Sequence, residues 1–211
     1  KDYDDSYFIL GVSTRREYEG QGFMKLLMNH VLDIYKDKRI YLQAYHPDIY
    51  MPFGFKESHR HILYKLDKTK YALPSSICVS QDISHLYDDY MRYTANFNHY
   101  LVRDEDYFND YLRKRCAAFN DSVLTFKNEY GQQGYMIYND RGKFVYISEF
   151  IYNKEYLDDI LKTISVYFYK DIRIETDCMA SIHGEKTDMI TMMCNQEDDT
   201  PLEKRYINEI Y

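Results

Sequence analysis

Near its start the chain reads Phe8-Ile9-Leu10-Gly11-Val12-Ser13-Thr14, followed a few residues later by Glu19-Gly20-Gln21-Gly22-Phe23-Met24. A short apolar strand that leads through two glycines into a helix points several backbone N–H groups, and the positive end of the helix dipole, at one spot. Apolar residues at helical spacing continue to about Asp37; they are Phe23, Leu26, Leu27, Val31 and Ile34. The pattern predicts a phosphate-binding loop between a strand and a helix.

A second apolar strand follows this helix, with the sequence Arg39-Ile40-Tyr41-Leu42-Gln43-Ala44-Tyr45, and completes a β–α–β unit. A lone Gly-x-Gly is also common in turns, where glycine supplies a positive φ. The Rossmann fold is disfavoured, because the G-x-G-x-x-G spacing is incomplete and no acidic residue closes the second strand. A Walker loop is excluded, since no Gly-Lys-Ser or Gly-Lys-Thr follows.

A third segment, Ile49-Tyr50-Met51-Pro52-Phe53-Gly54-Phe55, makes the pattern more specific. Together with the glycine loop and Val12-Ser13-Thr14, it resembles the acetyl-CoA loop and tyrosine segment of GNAT N-acetyltransferases. The resemblance is to the enhanced-intracellular-survival (Eis-like) branch, whose members carry the same Ile-Tyr-x-x-Phe-Gly-Phe/Tyr sequence after the cofactor helix. It implies transfer of an acetyl group from acetyl-CoA, the co-substrate, to a primary amine on a small molecule or a side chain.

The resemblance also implies which residues contact coenzyme A. Backbone groups of the strand at Val12, Ser13 and Thr14 would pair with the pantetheine arm. The loop residues that would surround the diphosphate are Gly20, Gln21, Gly22, Phe23, Met24 and Lys25. A diphosphate favours backbone donors and little side-chain bulk, and both glycines supply these.

Catalytic roles follow from the same resemblance. Tyr45 and His46 would lie beside the thioester, and Tyr50 would be the general acid. A phenol, with a reference pKa of about 10, can protonate a departing thiolate at neutral pH. The branch uses the carboxylate at its C-terminus as general base, which makes Tyr211 the candidate base if it is the native end.

Two features depart from the family pattern. Glu19 stands where the family usually has Arg or Gln, and only a short segment precedes the strand at Phe8, where a GNAT domain normally has two or three strands and one or two helices. We therefore expect an α+β chain of GNAT (acyl-CoA N-acyltransferase) fold, with residues 1–68 forming the C-terminal half of a GNAT acetyl-CoA-binding domain. A non-catalytic binding or assembly protein that keeps the GNAT fold as a scaffold is the alternative function.

After a strand at 62–66 and a polar linker, residues 69–211 predict the order of a second GNAT-like domain. The predicted elements are helices at 82–98 and 104–116, the latter capped by Asp104, strands at 123–128, 134–138 and 143–152, a helix at 154–167 capped by Asn153, and strands near 172–176, 189–194 and 206–210. Between strand 143–152 and its helix the chain reads Asn153-Lys154-Glu155, without glycine. The backbone there cannot form the same cradle, so this degenerate copy is not expected to bind coenzyme A.

Composition excludes several classes of protein. A net charge of −7 gives a nucleic-acid partner no electrostatic support. No apolar run approaches the roughly 18 residues of a membrane span, and nothing resembles a signal peptide. The four cysteines are far apart and lack a C-x-x-C spacing, which favours free thiols in the cytoplasm over disulfides or zinc. The Eis-like branch tends to self-associate, which allows a homo-oligomer.

Other polar clusters have plainer interpretations. His59-Arg60-His61 offers only two nitrogen donors, so it predicts a solvated strand edge rather than a metal site, and no metal cofactor is expected. Asp88-Asp89, Asp104-Glu105-Asp106 and Glu197-Asp198-Asp199 are typical of solvated helix starts or loops. The 25 tyrosines are spread along the chain and are expected mostly at half-buried boundary positions.

Overall fold

The computed structural model describes residues 5–197, 200–201 and 204–206. In this part of the chain eleven strands and four α-helices form. In chain order they are β1 (Ser6–Ile9), α1 (Phe23–Ile34), β2 (Arg39–Ala44), β3 (Lys56–Leu66), β4 (Cys78–Ser80), α2 (Leu86–Thr94), β5 (His99–Tyr100), α3 (Leu112–Phe119), β6 (Ser122–Asn128), β7 (Gly131–Asp140), β8 (Phe144–Tyr152), α4 (Leu157–Tyr167), β9 (Asp171–Asp177), β10 (Gly184–Cys194) and β11 (Arg205–Tyr206).

The chain folds into two compact units. The first comprises Lys1–Arg60 and Ile190–Leu202, and the second comprises His61–Met189 and Glu203–Tyr211. Residues 61–68 and 190–202 therefore lie on the other side of this division from where the expected domains 1–68 and 69–211 place them. That assignment of two GNAT domains stays a prediction, because compactness does not identify the origin of a domain.

The first unit is built on a β–α–β crossover. Strand β1 pairs in parallel with β2, from Ser6 opposite Arg39 to Ile9 opposite Leu42, and α1 connects the two strands. The other edge of β2 pairs antiparallel with the end of β10. The core of the first unit is a small apolar cluster of buried residues, namely Met28, Ile40, Leu42, Ala44, Phe55 and Met193.

Asn195 fixes the start of β2 through both ends of its amide. Its Oδ1 accepts from the N–H of Ile40 at 2.8 Å, and its Nδ2 donates to the carbonyl of Lys38 at 3.1 Å. Asn195 is about 155 residues away from these partners along the chain, so no local pattern predicts this contact.

Strand β1 ends earlier than the sequence predicts. The expected strand runs to Val12, but β1 ends at Ile9, and residues 10–15 have no regular secondary structure. Gly11 has a φ of +61°, a left-handed conformation that an extended strand cannot contain. Val12, Ser13 and Thr14 therefore lie in a loop that follows the strand, not within it.

In the second unit, six strands form a sheet in the order β3, β9, β8, β7, β6, β4. Strands β8 and β9 pair in parallel, with Phe144 opposite Asp171 and Ile147 opposite Ile174, and α4 connects them. The helix buries Leu157, Ile160, Leu161 and Ile164. This crossover repeats the β1–α1–β2 arrangement, as a second GNAT-like copy requires, and the Asn153 side chain accepts from the N–H of Glu155 as predicted.

Two helices of the second unit differ from their predicted form. Helix α2 begins at Leu86, because the Asp82 side chain accepts from the N–H of Ser84 at 3.1 Å and holds a turn where the helix was expected. Asp104 does cap its helix, since it accepts from the N–H of Tyr107 at 2.8 Å. A π-helical segment, Tyr107–Tyr111, then precedes α3, and the helical run continues to Phe119 instead of ending at 116.

Several polar residues that were expected in solvent are buried. Asp89 lies in the core of the second unit, where its carboxylate pairs with Arg92 and accepts from the Gln132 amide at 2.6 Å. His59 and His61 are also buried, and Nδ1 of His61 lies 2.9 Å from Oε1 of Glu175. The expectation of a solvated strand edge is therefore wrong, because both imidazoles are buried and that of His61 meets a carboxylate inside the fold.

Tyrosine is a core residue to a larger extent than expected. Eight of the described tyrosines are buried, namely Tyr41, Tyr64, Tyr71, Tyr90, Tyr93, Tyr135, Tyr152 and Tyr206. Several carry their hydroxyl to a partner inside the protein; for example, Tyr90 donates to the carbonyl of Leu101 at 2.5 Å and Tyr93 donates to Asp177. Burial, together with the charge of Asp177, raises the pKa of Tyr93 well above its usual range, so the hydroxyl keeps its proton.

A buried ion pair lies at the centre of the second unit. The Arg103 guanidinium donates to both oxygens of Glu149 at 2.9 and 2.8 Å, and both side chains are almost fully buried. Tyr135 donates to the same carboxylate at 2.5 Å, and the rings of Tyr90 and Tyr107 lie 4.7 and 4.6 Å from the Arg103 guanidinium carbon. The charge is thus surrounded by donors and aromatic faces.

No helix in the described ranges combines the length and the apolar character that crossing a membrane requires.

The four cysteines are free thiols, two exposed and two buried.

We expect Glu149→Gln to lower the free energy of unfolding by about 3–5 kcal/mol, because it leaves the buried Arg103 charge without its partner. Urea denaturation followed by circular dichroism measures this loss. The matched control is Asp110→Asn, which breaks an exposed ion pair with Lys114 and is expected to change stability little. Equal urea midpoints for Glu149→Gln and wild type would show that the pair does not hold the core.

Candidate functional site

The glycine loop leads directly into a helix without a side-chain cap. Gly20 and Gly22 both have left-handed backbone conformations, with φ of +74° and +80°. Gly22 is the residue before α1, and as a glycine it has no side chain to cap the first N–H groups of the helix. A Cβ at either glycine would meet no atom within 4 Å. The loop therefore presents backbone donors to open space.

The electrostatics at the start of α1 favour an anion. The twelve-residue helix carries no acidic residue in its first turn, so no carboxylate of that turn opposes the positive end of the helix dipole. Lys25, in the same turn, is exposed and makes no ion pair with any described residue. Unpaired N–H groups, the helix dipole and one free ammonium together suit a phosphate.

Short contacts hold the loop in shape. The Gln21 side chain donates to the carbonyl of Glu17 at 3.1 Å, within the 3₁₀ turn Arg16–Tyr18. The rings of Tyr18 and Phe23 meet edge to face at 5.9 Å. Met24 is half-buried and packs against the apolar core of the first unit. The Gln21 side chain thus helps to hold the loop in shape.

The tyrosine segment packs on the same core as the start of the helix. Tyr50 lies between two 3₁₀ turns, Pro47–Ile49 and Met51–Phe53, and is half-buried. It and Met24 both contact the cluster that contains Phe55, and the Tyr50 and Phe55 rings meet at 6.3 Å. Gly54, with a φ of +87°, ends the second turn. The Pro-Phe-Gly sequence thus fixes Tyr50 through backbone turns on both sides.

Other predicted site residues lie on the surface of the first unit. Val12 and Ser13 are exposed and Thr14 is half-buried. Tyr45 and His46 follow the end of β2, and both are exposed; Tyr45 is 69% exposed. Tyr211 lies outside the described residues, so its expected role as a base is not placed.

Glu19 is exposed at the end of the 3₁₀ turn that precedes the glycines, and its N–H donates to the carbonyl of Arg16 at 3.3 Å. The two neighbouring arginines, Arg15 and Arg16, are also exposed. Glu17, in the same turn, is exposed as well, so the sequence before the loop carries two positive and two negative exposed charges.

The start of α4 differs in its charge and in the turn that precedes it. The 3₁₀ turn Lys154–Tyr156 leads into α4, and the Asn153 side chain caps this turn by accepting from the N–H of Glu155 at 3.2 Å. The first turn of α4 contains Asp158 and Asp159. A side chain of the protein thus occupies a donor at this end, and two carboxylates repel a further anion. This geometry favours the predicted loss of coenzyme A binding in the second copy.

Helix α1 carries apolar side chains on a face that the first unit does not cover. Phe23, Leu26, Leu27 and Ile34 are 51%, 71%, 58% and 58% exposed. Met24, Met28, Val31 and Leu32 supply the packed side of the helix. Of the apolar residues that the sequence places at helical spacing, Val31 thus lies on the packed side, whereas Phe23, Leu26, Leu27 and Ile34 are exposed.

Among the described residues, no group of three or more His, Cys, Asp or Glu side chains is arranged to hold a metal ion. The polar groups that sequence reasoning missed are Asn195, whose partners are distant in sequence, and the buried acids Glu149 and Asp177. Glu149 was detectable only as a charged residue inside an apolar strand pattern.

Comparisons with known proteins agree with this geometry. Residues 6–58 match the model of an acetyltransferase (GNAT) domain. A sequence search of the curated proteins gives no match. Structures similar to the chain include a GCN5-related N-acetyltransferase from Kribbella flavida (15% identity, TM-score 0.63, covering 89% of this chain and 51% of that one) and one from Anabaena variabilis (12%, 0.61, 84% and 51%).

Eis1 from Mycobacterium abscessus is also similar, with 11% identity and a TM-score of 0.56, covering 88% of this chain and 55% of that one. The chain therefore has the GNAT fold, a mixed α+β arrangement. It spans about half the length of the first solved structures that it matches.

We expect Gly22→Ala to lower the free energy of unfolding by roughly 1–2 kcal/mol, because a residue with a Cβ disfavours the left-handed backbone conformation. The added Cβ meets no atom within 4 Å, so this loss reflects the backbone conformation and not a steric clash. Gly142→Ala is the matched control, since Gly142 has a φ of +76° and equally open surroundings in a remote turn. Thermal unfolding should give similar losses for both variants. A loss confined to Gly142→Ala would contradict the left-handed geometry at position 22.

Proposed function

We propose that this chain carries the acetyl-CoA site of a GNAT N-acetyltransferase, which transfers an acetyl group from acetyl-CoA to a primary amine. The observation that supports this most directly is the glycine loop, whose left-handed glycines lead into the uncapped, acid-free start of α1. A diphosphate needs this combination of free backbone donors and positive dipole. The match of residues 6–58 to the GNAT domain model agrees with it.

In this proposal the cofactor contacts follow the chain. Backbone groups at Val12, Ser13 and Thr14 pair with the pantetheine arm, and the proposal gains support from the end of β1–β2 pairing at Ile9, which leaves the next residues outside the sheet ladder. The diphosphate contacts residues Gly20, Gln21, Gly22, Phe23, Met24 and Lys25. Tyr45 and His46 lie beside the thioester.

The chemistry assigns Tyr50 the role of general acid. The amine nitrogen attacks the thioester carbonyl carbon, a C–N bond forms, and the C–S bond then breaks. The departing thiolate takes the proton of the Tyr50 hydroxyl, the nitrogen releases its second proton to solvent as the amide forms, and solvent returns a proton to the phenolate. A base must first take a proton from the acceptor ammonium, and the terminal carboxylate of Tyr211 is our candidate if Tyr211 is the native end.

We place the protein in the Eis-like branch on the segment from Ile49 to Phe55. Its likeness in fold to Eis1 agrees with this placement. The negative net charge suits a cationic acceptor, such as a lysine side chain, a polyamine or an aminoglycoside. We further propose a cytoplasmic protein that needs neither a metal nor a nucleic-acid partner, with a homo-oligomer as its assembly state.

A second candidate function is a non-catalytic binding or assembly protein that uses the GNAT fold as a scaffold. The exposed apolar side chains of α1 favour it, because they form a surface suited to contact with another protein segment.

Coenzyme A titration separates these two candidates. We expect calorimetry on the natural protein to show binding at micromolar to millimolar coenzyme A, together with a rise in Tm. Gly22→Ala should weaken binding about tenfold or more, whereas the equally strained Gly142→Ala should bind as wild type does, because only the first lies at the diphosphate. Neither heat nor thermal shift at millimolar coenzyme A would exclude the enzyme and favour the scaffold.

Tyr50→Phe tests the acid. We expect kcat to fall about 100-fold or more, with little change in the Kd of coenzyme A, because general acid catalysis typically contributes a factor of about 10²–10⁴. Tyr45→Phe removes a hydroxyl from an exposed neighbour and is the matched control, with an expected change of less than about tenfold. Full turnover in Tyr50→Phe would remove this residue from its role while leaving the fold and the loop in place.

A further inference from the structure

A cavity of about 370 Å³ lies within the second unit, which supplies all of its lining residues. It is bounded by α3 with its preceding π-helical segment on one side and by β6 and β7 on the other. Ligand pockets in proteins have volumes of roughly 300–1,000 Å³. The cavity is therefore large enough for a small organic molecule.

The inner wall of the cavity is apolar. Five aliphatic and aromatic side chains form it, namely Ile83, Phe108, Leu112, Val123 and Leu124. Phe108, Leu112 and Leu124 are buried in the core of the unit, so their positions are fixed by packing on their far sides. The Cys116 thiol completes this wall, and burial raises its pKa, which keeps it neutral.

The polar part of the lining carries a single charge. Gln81, Ser122 and Tyr138 are neutral, and burial raises the pKa of Tyr138 so that its hydroxyl stays protonated. Arg113 is the one charged side chain among the described residues that line the cavity. It is exposed and makes no ion pair with any described residue, so its guanidinium is available to a ligand.

The backbone that bounds the cavity next to α3 is also unusual. The π-helical segment Tyr107–Tyr111 runs directly into α3, and the two together supply Phe108, Leu112, Arg113 and Cys116 to the cavity lining. Short π-helical segments within α-helices are rare and are frequent at functional sites. This feature is independent of the volume and the charge of the cavity.

We propose that this cavity is a binding site for an apolar monocarboxylate, whose hydrocarbon part lies against the inner wall and whose carboxylate pairs with Arg113. A single guanidinium matches a carboxylate with two parallel hydrogen bonds. The hydroxyls of Ser122 and Tyr138 and the amide of Gln81 supply neutral donors around that charge. A phosphate dianion would leave one negative charge without a partner, and a cation would face Arg113 unpaired.

The test uses the natural protein and four probes of equal chain length: octanoate, octyl phosphate, 1-octanol and octylamine. Isothermal calorimetry should show octanoate binding at least about tenfold more tightly than 1-octanol, with no binding of octylamine, because the charge-assisted hydrogen bonds form only with the carboxylate. Octanoate should also bind more tightly than octyl phosphate.

Variants of two adjacent residues test whether Arg113 is the charge that binds octanoate. Arg113→Gln should weaken octanoate binding about tenfold or more, whereas Lys114→Gln, which removes the same charge from the next residue of α3 without touching the cavity, should leave it unchanged. Arg113→Lys keeps the charge but loses the paired geometry and should bind with intermediate affinity. Unchanged Tm values would show that the variants fold.

A footprint on Cys116 gives a readout that does not depend on the variants. Octanoate should slow the alkylation of Cys116, followed by peptide mass mapping, and should leave the exposed Cys78 and Cys178 unaffected. Octanoate that fails to bind at millimolar concentration, octylamine or octyl phosphate that binds as well, or equal losses in Arg113→Gln and Lys114→Gln would each overturn the proposal.

Discussion

The first N–H groups of an α-helix have no partners within the helix. At α1, the loop before the helix and the first turn both favour leaving these donors available. Gly22 begins the helix in a left-handed conformation and supplies no side chain to bond them. The first turn contains no acid, and the loop is held by Gln21 and the Tyr18–Phe23 contact without covering the helix end. In the similar crossover of the second unit, Asn153 caps the 3₁₀ turn that leads into α4, and the first turn of α4 contains two aspartates. The two crossovers share a topology and differ in the charge and the capping at the start of their helices.

The strand on which this helix rests depends on a late part of the chain. Strand β2 pairs with β1 on one edge and with residues 191–194 on the other. The Asn195 amide accepts from the N–H of Ile40 and donates to the carbonyl of Lys38 at the start of β2. The first unit therefore obtains a strand and a side-chain clamp from residues that follow the second unit's crossover. Loss of this segment would expose an edge of β2 and part of the cluster on which Tyr50 packs.

The core of the second unit differs from that of the first, because it contains buried carboxylates. Its buried carboxylates each have several partners: Glu149 binds Arg103 and Tyr135, Asp177 accepts from Tyr93 and from the N–H of Met179, and Glu175 meets His61 and Tyr146. Such networks hold a core in one arrangement when every member is satisfied. Tyrosine suits this role because its ring fills apolar volume while its hydroxyl reaches the carboxylate. This explains why so many tyrosines are inside, where a chain rich in them was expected to place them at its boundary.

The sequence by itself determined the β–α–β crossover, the glycine loop and the caps at Asp104 and Asn153, because each shows as a pattern within one continuous stretch of chain. It also indicated the second crossover and its lack of a glycine cradle. Only the tertiary structure decided that Gly11 ends β1 before Val12, that His61 and Asp89 are buried, and that residues 190–195 complete the first unit. It alone brought Arg113 and the π-helical segment to one cavity with β6 and β7. These outcomes depend on partners tens of residues away, and a pattern of neighbouring residues carries no information about which distant side chain will compensate a buried charge.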